Sequence, residues 1–361
     1  MFLMISSYRQ QVKETKKNMG CERIILDCDP GVDDSIAIFL ALASPDKIKI
    51  DAITIVMGNN NDIDLLANNA CLLLQMCNMS SDIPVIKGAN KPLASAYHGH
   101  SGIQVHAQNG IGNVKYPIKD LNQNPVEQYK DVSAAQFIVQ HVLANPGVIT
   151  LCAIGPLTNI ALAASIGGEK FIKSVRRLVI MGGSVGGFGN KTAAAEANLA
   201  NDPHAGRIVF DAFSDITMVG LNCTRQLPLN KEIRKKMRKL HAIGQFCFDI
   251  TAHYTEILQS WNDSPCFNDP TAIMYLIKPD LFEGQRACVD VEDSGRLTSG
   301  QTVADWTGRW GRPLQTLVLT KVDKNGFAKE LLDRLAKLTM FKPSLEDQMK
   351  RIEEQADVAE K

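Results

Sequence analysis

The hydrophobic positions of this chain form short strand-like runs that alternate with longer helical patterns. The strand-like runs are residues 23–27, 48–58, 83–89, 148–155, 176–183 and 216–222, and the helical patterns are residues 34–44, 62–78, 132–144 and 156–166. This order predicts an α/β fold in which helices flank both faces of a mostly parallel central sheet. In such sheets ligands bind beyond the carboxyl ends of the strands, so we expect the active site there.

The chain shows no internal repeat and no linker-like segment over its 361 residues, which favours a single domain. Residues 1–22 begin with an apolar run too short for a secretory signal and are typical of a disordered or loosely docked extension. Residues 341–361 predict a charged C-terminal helix or tail, so the domain is expected over residues 23–340. Within it, residues 90–116 have little periodicity and predict a long loop of the kind that forms a functional lid.

The charge balance and the cysteines argue against several classes of partner and location. Lys plus Arg and Asp plus Glu both number 39, whereas a nucleic-acid-binding protein usually carries a basic excess. No run of about 18 apolar residues is present, so no membrane-spanning helix is expected. The nine cysteines are scattered without a C-x-x-C pair, which indicates free buried thiols in a reducing compartment and an intracellular, cytoplasmic location.

Four aspartates surround the end of the first predicted strand, in the segment "DCDPGVDD". Asp27 and Asp29 are expected on one face, because strand side chains repeat every two residues, and Asp33 and Asp34 open the next helix. Helix capping explains one of the second pair, because an aspartate at a helix start accepts backbone N–H bonds. Capping does not explain four carboxylates around one turn, whose repulsion must be offset by a cation, a shared proton or solvent.

Three functional interpretations of this turn remain open. The first is a catalytic site for a hard cation, calcium or magnesium, and the second is a binding module that holds such an ion without catalysing a reaction. The third is a phosphotransferase of the haloacid dehalogenase type, which also ends its first strand in D-x-D. That class usually has glycine-threonine where this chain has Pro30-Gly31-Val32, and no later strand ends in a convincing acidic pair. Zinc is disfavoured because neither cysteine nor histidine clusters here.

Six segments together resemble the inosine-uridine-preferring nucleoside hydrolases, in that family's order and spacing. They are "DCDPGVDD" (27–34), "TIVMGN" (54–59), "AIGPLTNIA" (153–161), "VIMGGS" (179–184), "AEANLANDPHA" (195–205) and "NDPTA" (268–272). The resemblance implies a calcium-dependent enzyme that cleaves the N-glycosidic bond of a small ribonucleoside with water, giving ribose and free base. It also implies a homodimer or homotetramer.

The resemblance further implies a role for individual residues. The calcium ligands would be Asp29, Asp34, the main-chain carbonyl of Ile154 and Asp269, and Asp29 would also act as general base on a calcium-bound water. The substrate-binding residues would be Asp33, Asn59, Met181, Asn190, Glu196, Asn198 and Asp269, with His106 near the substrate entrance. Asp27 would support this arrangement from behind.

Asn268 departs from the family pattern at a catalytic position. Nonspecific members have a histidine there that protonates the leaving base, and an amide cannot act as a general acid. A purine tolerates this loss better than a pyrimidine, since its larger ring system spreads negative charge and can stack on Tyr254 or Trp261. We therefore expect hydrolysis of purine ribonucleosides, such as inosine and guanosine, in purine salvage. The alternatives are a nonspecific nucleoside hydrolase and a catalytically silent relative that binds calcium or nucleosides.

Overall fold

The structure is a computed structural model that describes residues 21–94, 102–116, 118 and 120–338. The predicted C-terminal segment 341–361 and nearly all of the predicted extension 1–22 lie outside the described residues. Part of the predicted loop, residues 95–101, also lies outside them. The expectations for these segments therefore stay predictions.

The strands form a single nine-stranded sheet within the described residues. They are β1 (Glu22–Cys28), β2 (Ile48–Ile55), β3 (Val85–Lys87), β4 (Thr150–Ala153), β5 (Arg177–Met181), β6 (Ile216–Val219), β7 (Phe282–Val291), β8 (Thr302–Asp305) and β9 (Thr316–Val322). Their order across the sheet is β3-β2-β1-β4-β5-β6-β9-β7-β8. Every pairing is parallel except those of β7 with β9 and with β8. The predicted mostly parallel α/β sheet is confirmed.

Helices cover both faces of this sheet. They are α1 (Val32–Leu42), α2 (Ile63–Met76), α3 (Ile103–His106), α4 (Asn124–Glu127), α5 (Ala134–Ala144), α6 (Thr158–Ser174), α7 (Ala197–Asn201), α8 (Pro203–Ala212), α9 (Leu221–Thr224), α10 (Lys231–Arg238), α11 (Ala242–Ser260), α12 (Asp269–Ile277) and α13 (Lys324–Leu335), with a 3₁₀ turn at Pro279–Leu281. One apolar cluster packs α1, α2 and α10–α13 on one face, and a second packs α5, α6 and α8 on the other.

Strand β1 shows why the sheet is buried on both sides. Ile24 and Leu26 belong to the first apolar cluster, whereas Ile25 belongs to the second. A strand that buries consecutive side chains needs a nearly continuous hydrophobic run, which is typical of parallel sheets. The polar residues that follow β1 are therefore confined to the edge where the strand ends.

The structure adds several elements to the sequence prediction, and two differences are notable. Strands β7–β9 and helix α13 were not identified from the pattern. Helix α6 continues to Ser174, eight residues beyond the predicted end at 166, across a kink at Gly168, whose φ is 59°. Glycine adopts a positive φ without steric cost, so the chain can end one helical segment there and begin another after the kink.

The cysteines are free, and all except Cys21 are buried, as the sequence predicts. Among the described residues, no helix combines the length and apolar character needed to cross a membrane.

Candidate active site

A cavity of about 630 Å³ opens at the carboxyl ends of β1, β2, β4, β5 and β6. Its volume lies within the range of small-molecule sites. The predicted site residues that line it are Asp29, Asp33, Asn59, His106, Ile154, Met181, Asn190, Glu196, Asn198, Tyr254, Trp261, Asn268 and Asp269. Asp34 is fully buried and is not in contact with the cavity. Residues from across the chain thus meet at the edge that the strand order indicated.

Asp34 holds the turn between β1 and α1 together. Its carboxylate accepts hydrogen bonds from the backbone N–H of Asp29 at 3.1 Å and of Gly31 at 3.0 Å. It also accepts one from Asn59 Nδ2 at 2.9 Å. The bond from Gly31 caps helix α1, so capping does account for one of the two helix-opening aspartates. The same carboxylate is tied to the neighbouring aspartates, which capping alone does not require.

Asp29 lies on the cavity floor in a space that only glycines leave open. Its Oδ2 accepts from the backbone N–H of Asn59 at 2.8 Å. A Cβ added to Gly58 would lie 2.1 Å from that oxygen, and one added to Gly155 would lie 2.8 Å from Oδ1. Both glycines therefore permit the close approach of backbone to this carboxylate.

Three of these aspartates have raised pKa values, because they are buried close to other carboxylates. Burial raises the pKa of Asp34 to about 7, and the nearby charge of Asp33 adds to the shift. Burial also raises the pKa values of Asp29 and Asp269 well above the usual range, and the charges of neighbouring aspartates contribute. Burial and the neighbouring negative charges both favour the neutral carboxyl groups, so without a counter-charge the cluster holds protons more strongly than free aspartates do.

This cluster could hold a metal ion. Oxygen atoms of Asp33, Asp34 and Asp269 lie within 4.8 Å of one another. Asp29 is linked to this group through its backbone N–H, which donates to Asp34 Oδ1, and Asp29 and Ile154 line the same cavity. An all-oxygen donor set with several carboxylates fits a hard divalent cation, whose charge would offset the repulsion.

The wall formed by α7 and the strand ends is a fixed polar surface. Glu196 caps α7, and its Oε2 also accepts from the backbone N–H of Gly183 at 3.1 Å. Burial raises the pKa of Glu196 to about 7. Asn198 Nδ2 donates to the carbonyl oxygens of Ile154 at 2.8 Å and Met181 at 3.1 Å. These bonds orient the Asn198 amide and join β4 to β5 beneath the cavity.

Asn190 completes this wall from the glycine-rich segment 182–192. Its Oδ1 accepts from the backbone N–H of Ala197 at 2.9 Å, which ties the segment to the start of α7. Arg225 donates to the carbonyl oxygens of Phe188 at 2.7 Å and Gly189 at 2.8 Å, and so holds the same segment from the other side.

Asp27 lies behind the cavity floor and is held there by two side-chain hydrogen bonds. Its Oδ1 accepts from Thr54 Oγ1 at 2.5 Å and from Asn159 Nδ2 at 2.8 Å. Its Oδ2 is buried without a hydrogen-bond partner, and burial raises the Asp27 pKa to about 7. Asp27 therefore links β1, β2 and α6 without reaching the cavity.

Aromatic side chains line the cavity next to the aspartates, and His106 Nδ1 lies 4.0 Å from Asp33 Oδ1. His106 is buried, and its Nδ1 accepts from the backbone N–H of Val32 at 3.0 Å, which places the ring proton on Nε2. Burial lowers the His106 pKa, although Asp33 opposes that shift. The rings of His106 and Tyr254 lie 5.7 Å apart. Trp261, at the end of α11, lines the cavity mouth and is 50% exposed, so it is not a core residue.

The family comparison agrees with this geometry. The model of the inosine-uridine preferring nucleoside hydrolases matches residues 24–329. The chain is also 35% identical over 325 residues to the inosine-uridine preferring nucleoside hydrolase of Crithidia fasciculata, covering 88% of this chain and 98% of that protein. This chain belongs to the inosine-uridine preferring nucleoside hydrolase family. The resemblance carried by its six sequence segments is thereby confirmed, and its activity class is hydrolysis of ribonucleosides.

Relatives within this family differ in the base that their names record. The pyrimidine-specific ribonucleoside hydrolase RihA of Shewanella oneidensis is 36% identical over 323 residues, covering 88% of this chain and 96% of that protein. The solved purine-preferring ribonucleoside hydrolase from Gardnerella vaginalis has a TM-score of 0.77 and 29% identity, covering 88% of this chain and 99% of that one. The family therefore establishes the hydrolase class, and the base preference needs residue-level argument.

Several residues of this nucleoside hydrolase line the cavity without having been predicted. They are Gln104, Lys191, Thr192, Arg225, Asp263, Ser264 and Ser299, among others. Most lie in loops without a periodic pattern, so sequence reasoning had no signal for them. Arg225 is the exception, because it follows directly on the polar residues at the end of the predicted strand 216–222.

Proposed function

We propose that this family member is a calcium-dependent purine ribonucleoside hydrolase that converts inosine or guanosine and water to ribose and free base. The observation that carries the proposal is the meeting of Asp29, Asp33, Asp34 and Asp269 beside a cavity that aromatic side chains also line. A glycosidic bond breaks through a transition state in which the sugar carries positive charge. Carboxylates and oxygen dipoles fixed around that position stabilise it.

Asp29, Asp34, Asp269 and the carbonyl of Ile154 are the proposed calcium ligands. When bound, calcium acts as a Lewis acid toward the attacking water and as a template for the ribose. Asp29 is the proposed general base, because it lines the cavity and, among the described residues, its carboxylate accepts one backbone hydrogen bond, at Oδ2. Its other oxygen can take the proton of the water that attacks the sugar carbon.

The ribose is proposed to lie between the aspartates and the α7 wall. Its hydroxyl groups would contact Asp33, Asn59, Asn190, Glu196, Asn198 and Asp269, and Met181 would lie beneath the sugar ring. The bonds that already fix Glu196 and Asn198 reduce the entropy lost on binding, because the side chains are held before substrate arrives.

Gly58→Ala is expected to lower ribose release by up to roughly 100-fold, since a misplacement of about 1 Å can cost that much. The new Cβ would collide with Asp29 Oδ2. The φ of Gly58 is not in the left-handed region, so alanine adds little backbone strain. Steady-state assays of inosine hydrolysis measure the effect, with thermal unfolding as the control for folding. Unchanged turnover would contradict the fixed placement of Asp29.

The base is proposed to lie against His106, Tyr254 and Trp261. A purine offers a larger stacking face than a pyrimidine, and its ring system spreads negative charge better once the bond breaks. Asn268 supplies a hydrogen-bond donor here and no transferable proton. We therefore expect higher kcat/KM for inosine and guanosine than for uridine and cytidine, and similar values would refute the preference.

Trp261→Ala is expected to lower kcat/KM for inosine by about 3- to 10-fold, the size of one aromatic stacking interaction. Trp310→Ala is a matched control, because Trp310 is 41% exposed and does not line the cavity. The control should leave inosine kinetics unchanged. Equal effects of the two substitutions would show that Trp261 makes no contact with the base.

One experiment tests the proposal as a whole. Free ribose is measured after incubation with a panel of purine and pyrimidine nucleosides, with calcium or with a chelator. Release from purines that the chelator stops and calcium restores is the expected result. Ribose release that the chelator does not affect would show that hydrolysis does not require a metal ion. No release from any nucleoside would favour a catalytically silent binding protein. The predicted homodimer or homotetramer is tested separately by light scattering.

A further inference from the structure

Asn268 does not behave as an ordinary helix cap. It occupies the N-cap of α12, where an asparagine side chain usually accepts a backbone N–H bond from the first turn. Its side chain makes no such bond. Instead, its Oδ1 accepts from Thr224 Oγ1 at 2.9 Å. Thr224 is fully buried at the end of α9, 44 residues away in sequence. The amide is thus held by a partner outside its own helix.

Two neighbours determine which end of this amide faces the cavity. Asn268 Nδ2 lies 3.5 Å from Asp33 Oδ2 and 3.4 Å from Tyr254 Oη. An ionised carboxylate only accepts hydrogen bonds, so a rotated amide would place Oδ1 against an oxygen of Asp33. The hydroxyl of Thr224 donates to Oδ1 on the other side. Together these contacts direct the NH₂ group into the cavity.

The NH₂ group is also not fully engaged. Both of its contacts are beyond the usual 2.7–3.2 Å range of an N–H···O bond. Amide hydrogens that make only long contacts can still gain free energy from a better-placed acceptor. The ring nitrogens and carbonyl oxygens of a nucleobase are acceptors of this kind.

We propose that Thr224 is a positioning residue that holds the Asn268 amide as a neutral hydrogen-bond donor to the leaving base. This inference rests on the proposed function. As the water oxygen bonds to the sugar carbon, the carbon–nitrogen bond breaks and its electron pair passes to the base. The water gives one proton to Asp29, and the base takes its proton from solvent. The Asn268 N–H stabilises the negative charge on the base until then, without transferring its proton.

The test compares Thr224→Val with Thr224→Ser on two ribosides. Inosine has a base that needs stabilisation, whereas 4-nitrophenyl riboside has a leaving group that departs as a stable anion unaided. Thr224→Val should lower kcat for inosine by up to roughly 100-fold, the effect of misplacing a group by about 1 Å. It should affect the nitrophenyl substrate much less. Thr224→Ser restores the hydroxyl and should recover most of the inosine rate.

Thr150→Val is the matched control. Thr150 is also fully buried and donates one hydrogen bond from Oγ1, to Glu22 Oε1 at 2.6 Å, but it does not line the cavity. It should lower stability without changing the ratio of the two rates. Equal loss on both substrates in Thr224→Val, or no recovery in Thr224→Ser, would overturn the inference alone. No turnover of either riboside by the parent protein would overturn the proposed function, and this inference with it.

Discussion

Asp29→Asn is expected to fold as the parent does and to release ribose from inosine at least about 10³-fold more slowly, the scale of a lost general base. Asparagine has the shape of aspartate and keeps an oxygen that can accept the Asn59 N–H bond, so the turn between β1 and α1 should persist. Its amide cannot take a proton from water. The measurement is kcat at saturating calcium, which separates loss of the base from loss of the ion.

Asp51→Asn serves as the control for removing a buried carboxylate. Asp51 pairs with Arg23 at 2.7 Å and with His141 at 2.8 Å, and it does not line the cavity. This variant should lose thermal stability, because a charged donor is left without its partner, and it should keep kcat per folded molecule. Near-normal turnover in Asp29→Asn would contradict the assignment of Asp29 as the general base.

The part of the site nearest β1 could be predicted from the sequence for a physical reason. Buried parallel strands need apolar residues along their length, so the change to Asp27 and Asp29 marks the end of β1. The same rule places Gly58 and Asn59 after β2 and Met181 at the end of β5. Because parallel strands end at one edge, these residues had to lie near each other.

The remaining parts depend on contacts that no local pattern specifies. Arg225 meets the cavity through bonds to carbonyl oxygens 36 and 37 residues earlier in the chain. Thr224 acts on Asn268 across 44 residues. Strands β7, β8 and β9 follow one another without an intervening helix, and β7 pairs antiparallel with both of the others. This part of the chain therefore lacks the strand–helix alternation on which the prediction relied. Helix α6 likewise continues across the kink at Gly168 to Ser174, beyond the end at residue 166 that the hydrophobic periodicity predicts.

The second large effect concerns stability without metal. The pKa of Asp34 is about 7 in the folded protein, against 3.8 for an unperturbed aspartate. Between these values the folded state holds a proton that the unfolded state has released, so stability falls as pH rises from about 4 to about 7. Asp29 and Asp269, whose pKa values are also raised, act in the same direction. Metal-free protein should therefore melt at a lower temperature at pH 8 than at pH 5.

Calcium should reverse this trend, because it binds the ionised carboxylates and competes with their protons. We expect calcium to raise the melting temperature by at least about 5 °C at pH 8 and much less at pH 5.

Asp34→Asn should lose this calcium response, and its melting temperature should fall less steeply as pH rises. Asp27→Asn is the matched control: Asp27 is equally buried, with a pKa of about 7, but it is not part of the group of Asp33, Asp34 and Asp269, whose oxygen atoms lie within 4.8 Å of one another. That variant should weaken the pH dependence and keep the calcium response. A calcium-induced rise as large in Asp34→Asn as in the parent would show that Asp34 is not a ligand.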